Sequence, residues 1–154
     1  MNGWVYVISN ENLDGWVKIG RSEDHPVKRT KQLQASSAAP GEYIVEYAVK
    51  LFEFAMFEQD VHGALRKKTL FDKEWFVITA FEAGNLINEM LEQSEYFIRD
   101  ETFGQLIPPD EIADYSTICA ECNLRIHESI PIFDHPDKRL KNRALCAHCW
   151  GKLN

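Results

Sequence analysis

The chain has 154 residues, of which 45% are apolar, with a formal net charge of −7 and a pI near 5.2. This is enough apolar material for a sizeable core, and enough length for one domain plus a small module. No apolar stretch approaches the roughly 20 residues that span a bilayer, the N-terminus MNGWVYVISN lacks the order of a secretory leader, and the acidic balance excludes indiscriminate coating of DNA. The expectation is a soluble, cytoplasmic protein with no membrane partner.

Residues 3–9, GWVYVIS, form a β-rich run, NENLDG carries a turn signal closing at Asp14-Gly15, and residues 16–20, WVKIG, return as a second strand. The pair reads as an antiparallel hairpin with a longer loop. Alternation along the second strand places Lys18 on the face of Trp16, opposite Val17 and Ile19. SEDHPVKRTKQLQ is helical in character, with Asp24 or His25 as cap and Pro26 in the first turn, and ASSAAPG (35–41) ends it. EYIVEYAVKLF (42–52) is a long β-type run. In EFAMFEQDVHGALRKK (53–68), Phe54, Phe57, Val61 and Leu65 share one helical stripe. EWFVI (74–78) is a short strand. Thr79 and Glu82 give a T-x-x-E capping signature for a helix running to about Phe97. The order ββαβαβα predicts an α/β (α+β) domain over residues 1–97, a small mixed or antiparallel sheet flanked by helices.

Residues 98–117 read as a connector, with Pro108-Pro109, a glycine and few apolar anchors. Charge is uneven along the chain. Residues 36–100 carry six Lys/Arg against twelve acids, and residues 101–117 carry four acids and no base. Residues 1–35 carry five bases against four acids, and residues 118–154 six against four, so both ends can meet a phosphate backbone.

All four cysteines lie in the last 36 residues, as CAEC (Cys119, Cys122) and CAHC (Cys146, Cys149) with 23 residues between them. Two C-x-x-C knuckles match a four-cysteine Zn²⁺ site: each presents two thiolates from a tight turn, and two complete a tetrahedron. Such a closed site is structural. The module over 118–154, of zinc-ribbon or treble-clef type, is too small to fold on its own core, so metal binding supplies folding energy. Disulfides fit poorly with a cytosolic chain, and a redox pair needs no matching second knuckle. DKRLKNR (137–143), between the knuckles, is either a basic finger on nucleic acid or a solvated loop. Trp150 is expected to pack on the module, which also offers a surface for a protein partner or a homodimer.

WVYVI and VKIG stand where the GIY-YIG nuclease superfamily carries its two signature segments. The ordered set of Tyr6, Lys18-Ile19-Gly20-Arg21, Arg29, Glu58 with His62 (E-x-x-x-H) and Glu74-Trp75-Phe76 resembles the phage and bacterial branch whose second motif reads V-K-I-G. The resemblance covers roughly residues 3–95. It implies a metal-dependent endonuclease hydrolysing DNA phosphodiester bonds in a bacterial or phage-infected cell, with RNA not excluded as a substrate. It implies Glu58 as the carboxylate holding Mg²⁺ or Mn²⁺, with waters completing the octahedron. Tyr6 would hold and deprotonate the attacking water, and Arg29 would grip the scissile phosphate. His62, one turn beyond Glu58, would support water activation or protonate the leaving oxygen. Glu74 is a second candidate carboxylate. Lys18 stands in place of the superfamily's second tyrosine, as a phosphate cation or a base. The histidine or tyrosine that many members carry one turn after the arginine falls at Leu33, and His62 fills that gap from the other helix.

Each of these residues also has a plainer reading. Tyr6 packs in a strand, Arg29 is a helix-face cation, Glu58 and His62 form a solvated helix edge, and Glu74 begins a surface strand. The alternative function is a catalytically inactive DNA-binding or protein-interaction factor on the same fold.

Overall fold

The computed structural model describes residues 1–36, 41–140 and 144–153. The expected helix end over 37–40 and the last part of DKRLKNR, 141–143, lie outside the described residues. Six strands build one antiparallel sheet: β1 (Gly3–Asn10), β2 (Trp16–Ser22), β3 (Tyr43–Leu51), β4 (Phe71–Asp72), β5 (Trp75–Val77) and β6 (Arg99–Gly104). Their spatial order is β4-β5-β2-β1-β3-β6. β1 and β3 are central and nearly continuously apolar, which suits strands covered on both faces. Helices α2 (Phe54–Arg66) and α3 (Ala80–Gln93) cover one face, where Phe57, Val61, Leu65, Ala83 and Ile87 pack on Val5, Val7, Val17, Ile19 and Val49. Phe57, Val61 and Leu65, three members of the expected stripe, are fully buried, and each such side chain contributes roughly 1.5–3 kcal/mol. Helix α1 (Pro26–Ser36) covers the other face, where Leu33 meets Trp4, Tyr6, Ile8 and Ala48.

Local chemistry sets the helix ends. His25 Nδ1 accepts from the Val27 N–H at 3.1 Å, so His25 caps α1, while the Asp24 N–H donates to Ser22 Oγ. Thr79 Oγ1 accepts from the Glu82 N–H at 3.1 Å and caps α3. That helix stops at Gln93, short of residue 97. Ser94 adopts an extended backbone, and its hydroxyl accepts from the N–H groups of Tyr96 and Phe97 at 3.0 and 2.8 Å.

Residues 99–104 depart from the connector expected there. They form β6, the sheet's edge strand, paired with β3 from Leu51↔Arg99 to Tyr47↔Gly104. Their charges suit an exposed edge and hide the strand from hydrophobic patterning. A 3-10 turn (Pro109–Glu111) and α4 (Ile112–Tyr115) then lead to β7 (Ser116–Ile118), β8 (Arg125–His127), β9 (Phe133–Asp134), β10 (Ala144–Leu145) and α5 (Ala147–Leu153). β7 pairs with β8, β9 pairs with β10, and α5 follows them. Trp150 stacks on Phe133 with ring centroids 4.5 Å apart. Among the described residues, no helix is long and apolar enough to cross a membrane.

The cysteine module sits directly on the sheet. The Val45 N–H donates to Asn123 O at 2.9 Å, and Asn123 Nδ2 donates to Tyr43 O at 3.0 Å. Arg125 Nε donates to Glu46 Oε1 at 2.7 Å, while Ser9 Oγ donates to Glu46 Oε2 at 2.7 Å. Val45 shares one buried cluster with the four cysteines, Leu124, Ile126 and Leu145. Glu46 is buried, and these donors satisfy both of its carboxylate oxygens. Removing one partner of such a pair leaves an uncompensated ion, a loss of about 3–5 kcal/mol. Arg125→Ala is therefore expected to destabilise the whole chain by about that amount in urea unfolding. A change within about 0.5 kcal/mol, the range of ordinary surface substitutions, would show instead that the module does not lean on the sheet.

Candidate active site and metal centre

Antiparallel register sets Tyr6 of β1 directly opposite Gly20 of β2, with both positions on the α1 face. A Cβ at Gly20 would collide with the phenol hydroxyl of Tyr6. The ring therefore lies across β2 because residue 20 has no side chain. On its far side, β2 pairs with β5 only as far as Lys18↔Trp75, and the Ile19 N–H donates to Glu74 O at 3.0 Å. From there α2 closes the strand: His62 Nε2 lies 2.8 Å from Ile19 O. A carbonyl only accepts, so Nε2 carries the proton and donates it.

Tyr6 is 1% exposed. Burial pushes its phenol above the ordinary tyrosine value, the hydrogen bond and charge of Arg29 oppose that, and Glu74 and Glu58 add to the rise. The phenol is thus a neutral O–H near pH 7. Arg29 Nη1 reaches Gln32 Oε1 at 3.4 Å, while its Nε is buried with no hydrogen-bond partner among the described residues. Glu58 is buried too, and burial holds its carboxyl above the usual carboxylate range, with His62 and then Arg21 pulling it back. Its Oε1 accepts from Arg21 Nη1 and from Gln59 Nε2, each at 3.4 Å, and its Oε2 lies 3.9 Å from His62 Nε2. Lys18 Nζ lies 3.4 Å from Glu74 Oε2.

The fold thus brings Tyr6, Arg29, Glu58 and Glu74 into one electrostatic neighbourhood, with Lys18 at its rim. Glu58 and His62 are buried, and they do not form the solvated edge that was the plainer reading. The imidazole of His62 anchors α2 to β2, and Phe76 packs edge-on against it at 5.2 Å. Leu33 belongs to the α1 core. Sequence reasoning named Gly20 within a motif and missed its steric role; the signal was a glycine inside a strand, which marks a close approach. Among the described residues, only the cysteines gather as three or more ligands for one ion. Glu58 offers a single carboxylate, so a divalent cation there would keep most of its waters.

The sulfur atoms of Cys119, Cys122, Cys146 and Cys149 all lie within 4.8 Å of one another, with Cys122 and Cys146 3.8 Å apart and no disulfide formed. Four thiolates at about 2.3 Å from a tetrahedral zinc ion stand about 3.8 Å apart, so the cluster fits that ion. Asn123 takes a left-handed backbone (φ 59°), which turns the first knuckle, and Cys149 lies in the first turn of α5. Backbone N–H groups of Cys146 and Cys149 donate to the sulfurs of Cys119 and Cys146, each at 3.4 Å, supporting negative charge there.

The chain belongs to the T5orf172 domain family, whose model matches residues 3–91. This is a phage-associated domain related to GIY-YIG and HNH-like nucleases. Searches of curated proteins and of solved structures give no match.

Two expectations follow. Purified protein should carry about one zinc per chain by elemental analysis. Cys146→Ser should lose it and melt lower, as should wild type treated with a strong chelator; retention of full stability without metal would remove zinc from the fold. The second concerns Glu58, which binds its proton more tightly folded than unfolded. Its stabilising contribution is complete below the unfolded carboxylate value and declines as pH rises through the folded one. Glu58→Gln should therefore raise the melting temperature near pH 7, and the gain should shrink toward about pH 4. Comparing both proteins at each pH cancels any loss of zinc.

Proposed function

We propose that the protein is a metal-dependent endonuclease of GIY-YIG type that hydrolyses DNA phosphodiester bonds in the cytoplasm of a bacterial or phage-infected cell. The observation that carries this reading is Arg29: a half-buried guanidinium beside a phenol, whose buried Nε–H has no acceptor among the described residues. Buried donors are nearly always paired, and a phosphate oxygen is the acceptor that a planar fork matches best.

Glu58 would hold a Mg²⁺ or Mn²⁺ ion, which would supply positive charge to a phosphate oxygen and make water easier to deprotonate. The chain's own residues do the rest. Arg29 binds the phosphate and gathers charge as the water oxygen forms its bond to phosphorus. Tyr6, a neutral phenol shielded from solvent, holds Arg29 in place. This positioning role replaces the water-deprotonating one that the resemblance implies. Lys18 exchanges Glu74 for phosphate, and Arg21 would leave Glu58 free to hold the cation. As the water oxygen bonds to phosphorus the ester P–O bond breaks; the attacking water gives its proton to solvent and the departing oxygen takes one from solvent, leaving one phosphomonoester end and one hydroxyl end. His62 keeps α2 fixed on β2 so that Glu58 faces this point. The cysteine module, with its zinc, braces the sheet from the side of β3.

The second reading is a DNA-binding factor without turnover. Two observations favour it: the phenol is shut off from solvent, and both carboxylates are tied to cations. Supercoiled plasmid separates the two. Nicking that needs Mg²⁺ or Mn²⁺ is expected, reduced about 100-fold or more in Glu58→Ala and Arg29→Ala. In Tyr6→Phe, which removes one hydrogen bond to Arg29, the loss should be about tenfold. DNA retained in a gel shift with no nicking by wild type, at any divalent-ion concentration, decides for the second reading.

A further inference from the structure

Beyond Glu58, on the α2 side of the sheet edge, a cleft of about 400 Å³ is lined by Arg21, Glu58, His62, Arg66, Lys73 and Glu74. Arg21 is paired with Glu58, and Glu74 is tied to Lys18. Arg66 and Lys73 are the cations left over, and neither forms an ion pair with another described residue. Both are nevertheless held in shape. Arg66 Nη2 donates to Lys73 O at 3.4 Å, and its guanidinium lies 5.5 Å from the centre of the Phe71 ring. This fixes a long side chain that solvent would otherwise leave free. Lys73 sits in the turn between β4 and β5 with φ 56°, a backbone that favours glycine or asparagine. A lysine at that position strains the backbone and places a cation on the rim. Arg66 also lies close enough to Glu58 to favour its ionised form.

We propose that this cleft is a second phosphate subsite, in which Arg66 and Lys73 hold a backbone phosphate of the nucleic-acid strand flanking the one gripped at Arg29. The assignment rests on the nuclease reading for which phosphate is which. The strand crosses β2 over Gly20, with Arg29 on one side of the sheet edge and the Arg66–Lys73 pair on the other. The contact is made to the backbone, so it sets register and carries no base preference. Of the two, Arg66 is pre-set by Phe71 and the Lys73 carbonyl, whereas the Lys73 ammonium is free to follow the phosphate.

The test measures binding apart from cleavage. Fluorescein-labelled duplex DNA is titrated with Glu58→Gln protein, alone and combined with Arg66→Gln and Lys73→Gln, from about 50 to about 200 mM salt. The slope of log affinity against log salt should become shallower by about 0.9 in the combined variant, which loses the one phosphate contact, and by part of that with Lys73→Gln alone. The loss should be the same for unrelated DNA sequences, and Arg66→Lys should keep most of the slope. Lys73→Gln alters only an exposed turn, so it keeps the test valid if the combined variant folds poorly. An unchanged slope in a folded Lys73→Gln protein overturns the subsite, whether or not wild type nicks DNA. A shallower slope with no nicking by wild type would keep the cleft as a phosphate site while removing the nuclease reading.

Discussion

Tyr6 and Gly20 face each other across β1 and β2, and the missing side chain at residue 20 lets the phenol lie over the second strand. The polar end of the sheet is arranged around that contact. The hydroxyl meets Arg29 from α1, so one helix is oriented from beneath by a strand two elements earlier in the chain. On the other face, Val17 and Ile19 anchor β2 in the core, and the Ile19 carbonyl takes the proton of His62. Helix α2 is thus fixed one residue away from the glycine, and Glu58 comes with it. A side chain at residue 20 would push the ring aside, and the two helices would no longer be tied to a common point.

The second constraint comes from the opposite direction. β3 carries Val45 and Glu46, which look like an ordinary alternation of apolar and charged residues. Each engages the cysteine module, one through its backbone N–H and the apolar cluster, the other through Arg125. Val27 of α1 and Phe103 of β6 pack on the same cluster. His25, the cap of α1, stacks on His148 of α5 with centroids 4.7 Å apart. Burial, reinforced by the charges of His148, Lys152 and Lys50, lowers the His25 imidazole to a pKa of about 4, so the cap stays neutral and can accept its hydrogen bond. The start of the helix that bears Arg29 is therefore built partly from residues that zinc would order. This makes the module part of the site's scaffold, over and above any contact it makes with a ligand.

What was legible in the sequence was local. The hairpin, the Phe57–Val61–Leu65 stripe, the Thr79 cap and the paired knuckles each declare themselves within a few residues, through periodicity or fixed spacing. What was not legible depended on partners far along the chain. The strand over 99–104 is charged because its outer edge is exposed, so it read as a linker until β3 was seen beside it. Glu46 and Arg125 are 79 positions apart, and nothing near either one signals burial. The spacing of His62 four residues from Glu58 suggests support of water activation or protonation of the leaving oxygen. The structure gives its proton to a backbone carbonyl on β2, a partner that helical spacing cannot reveal. In the same way, the strand pattern around Tyr6 does not show its burial or its nearness to Arg29 of α1.

Net charge was the poorest guide, and the reason is one of scale. A chain with a balance of −7 should repel a polyanion, yet fields between exposed charges fade over about 8 Å at physiological ionic strength. At the sheet edge Arg21, Arg66 and Lys73 line one cleft with Glu58 and Glu74, and the two carboxylates pair with Arg21 and Lys18. The carboxylates are buried or paired, so the surface that a phosphate meets is cationic. The acids of the middle segment lie largely elsewhere: Glu82, Glu89 and Glu92 are exposed on α3, and Asp100 and Glu101 on β6. Under the proposed reading, such a protein would bind a phosphate backbone at one edge and repel it elsewhere. That is how an acidic chain would confine a nucleic acid to a single site without coating itself in it.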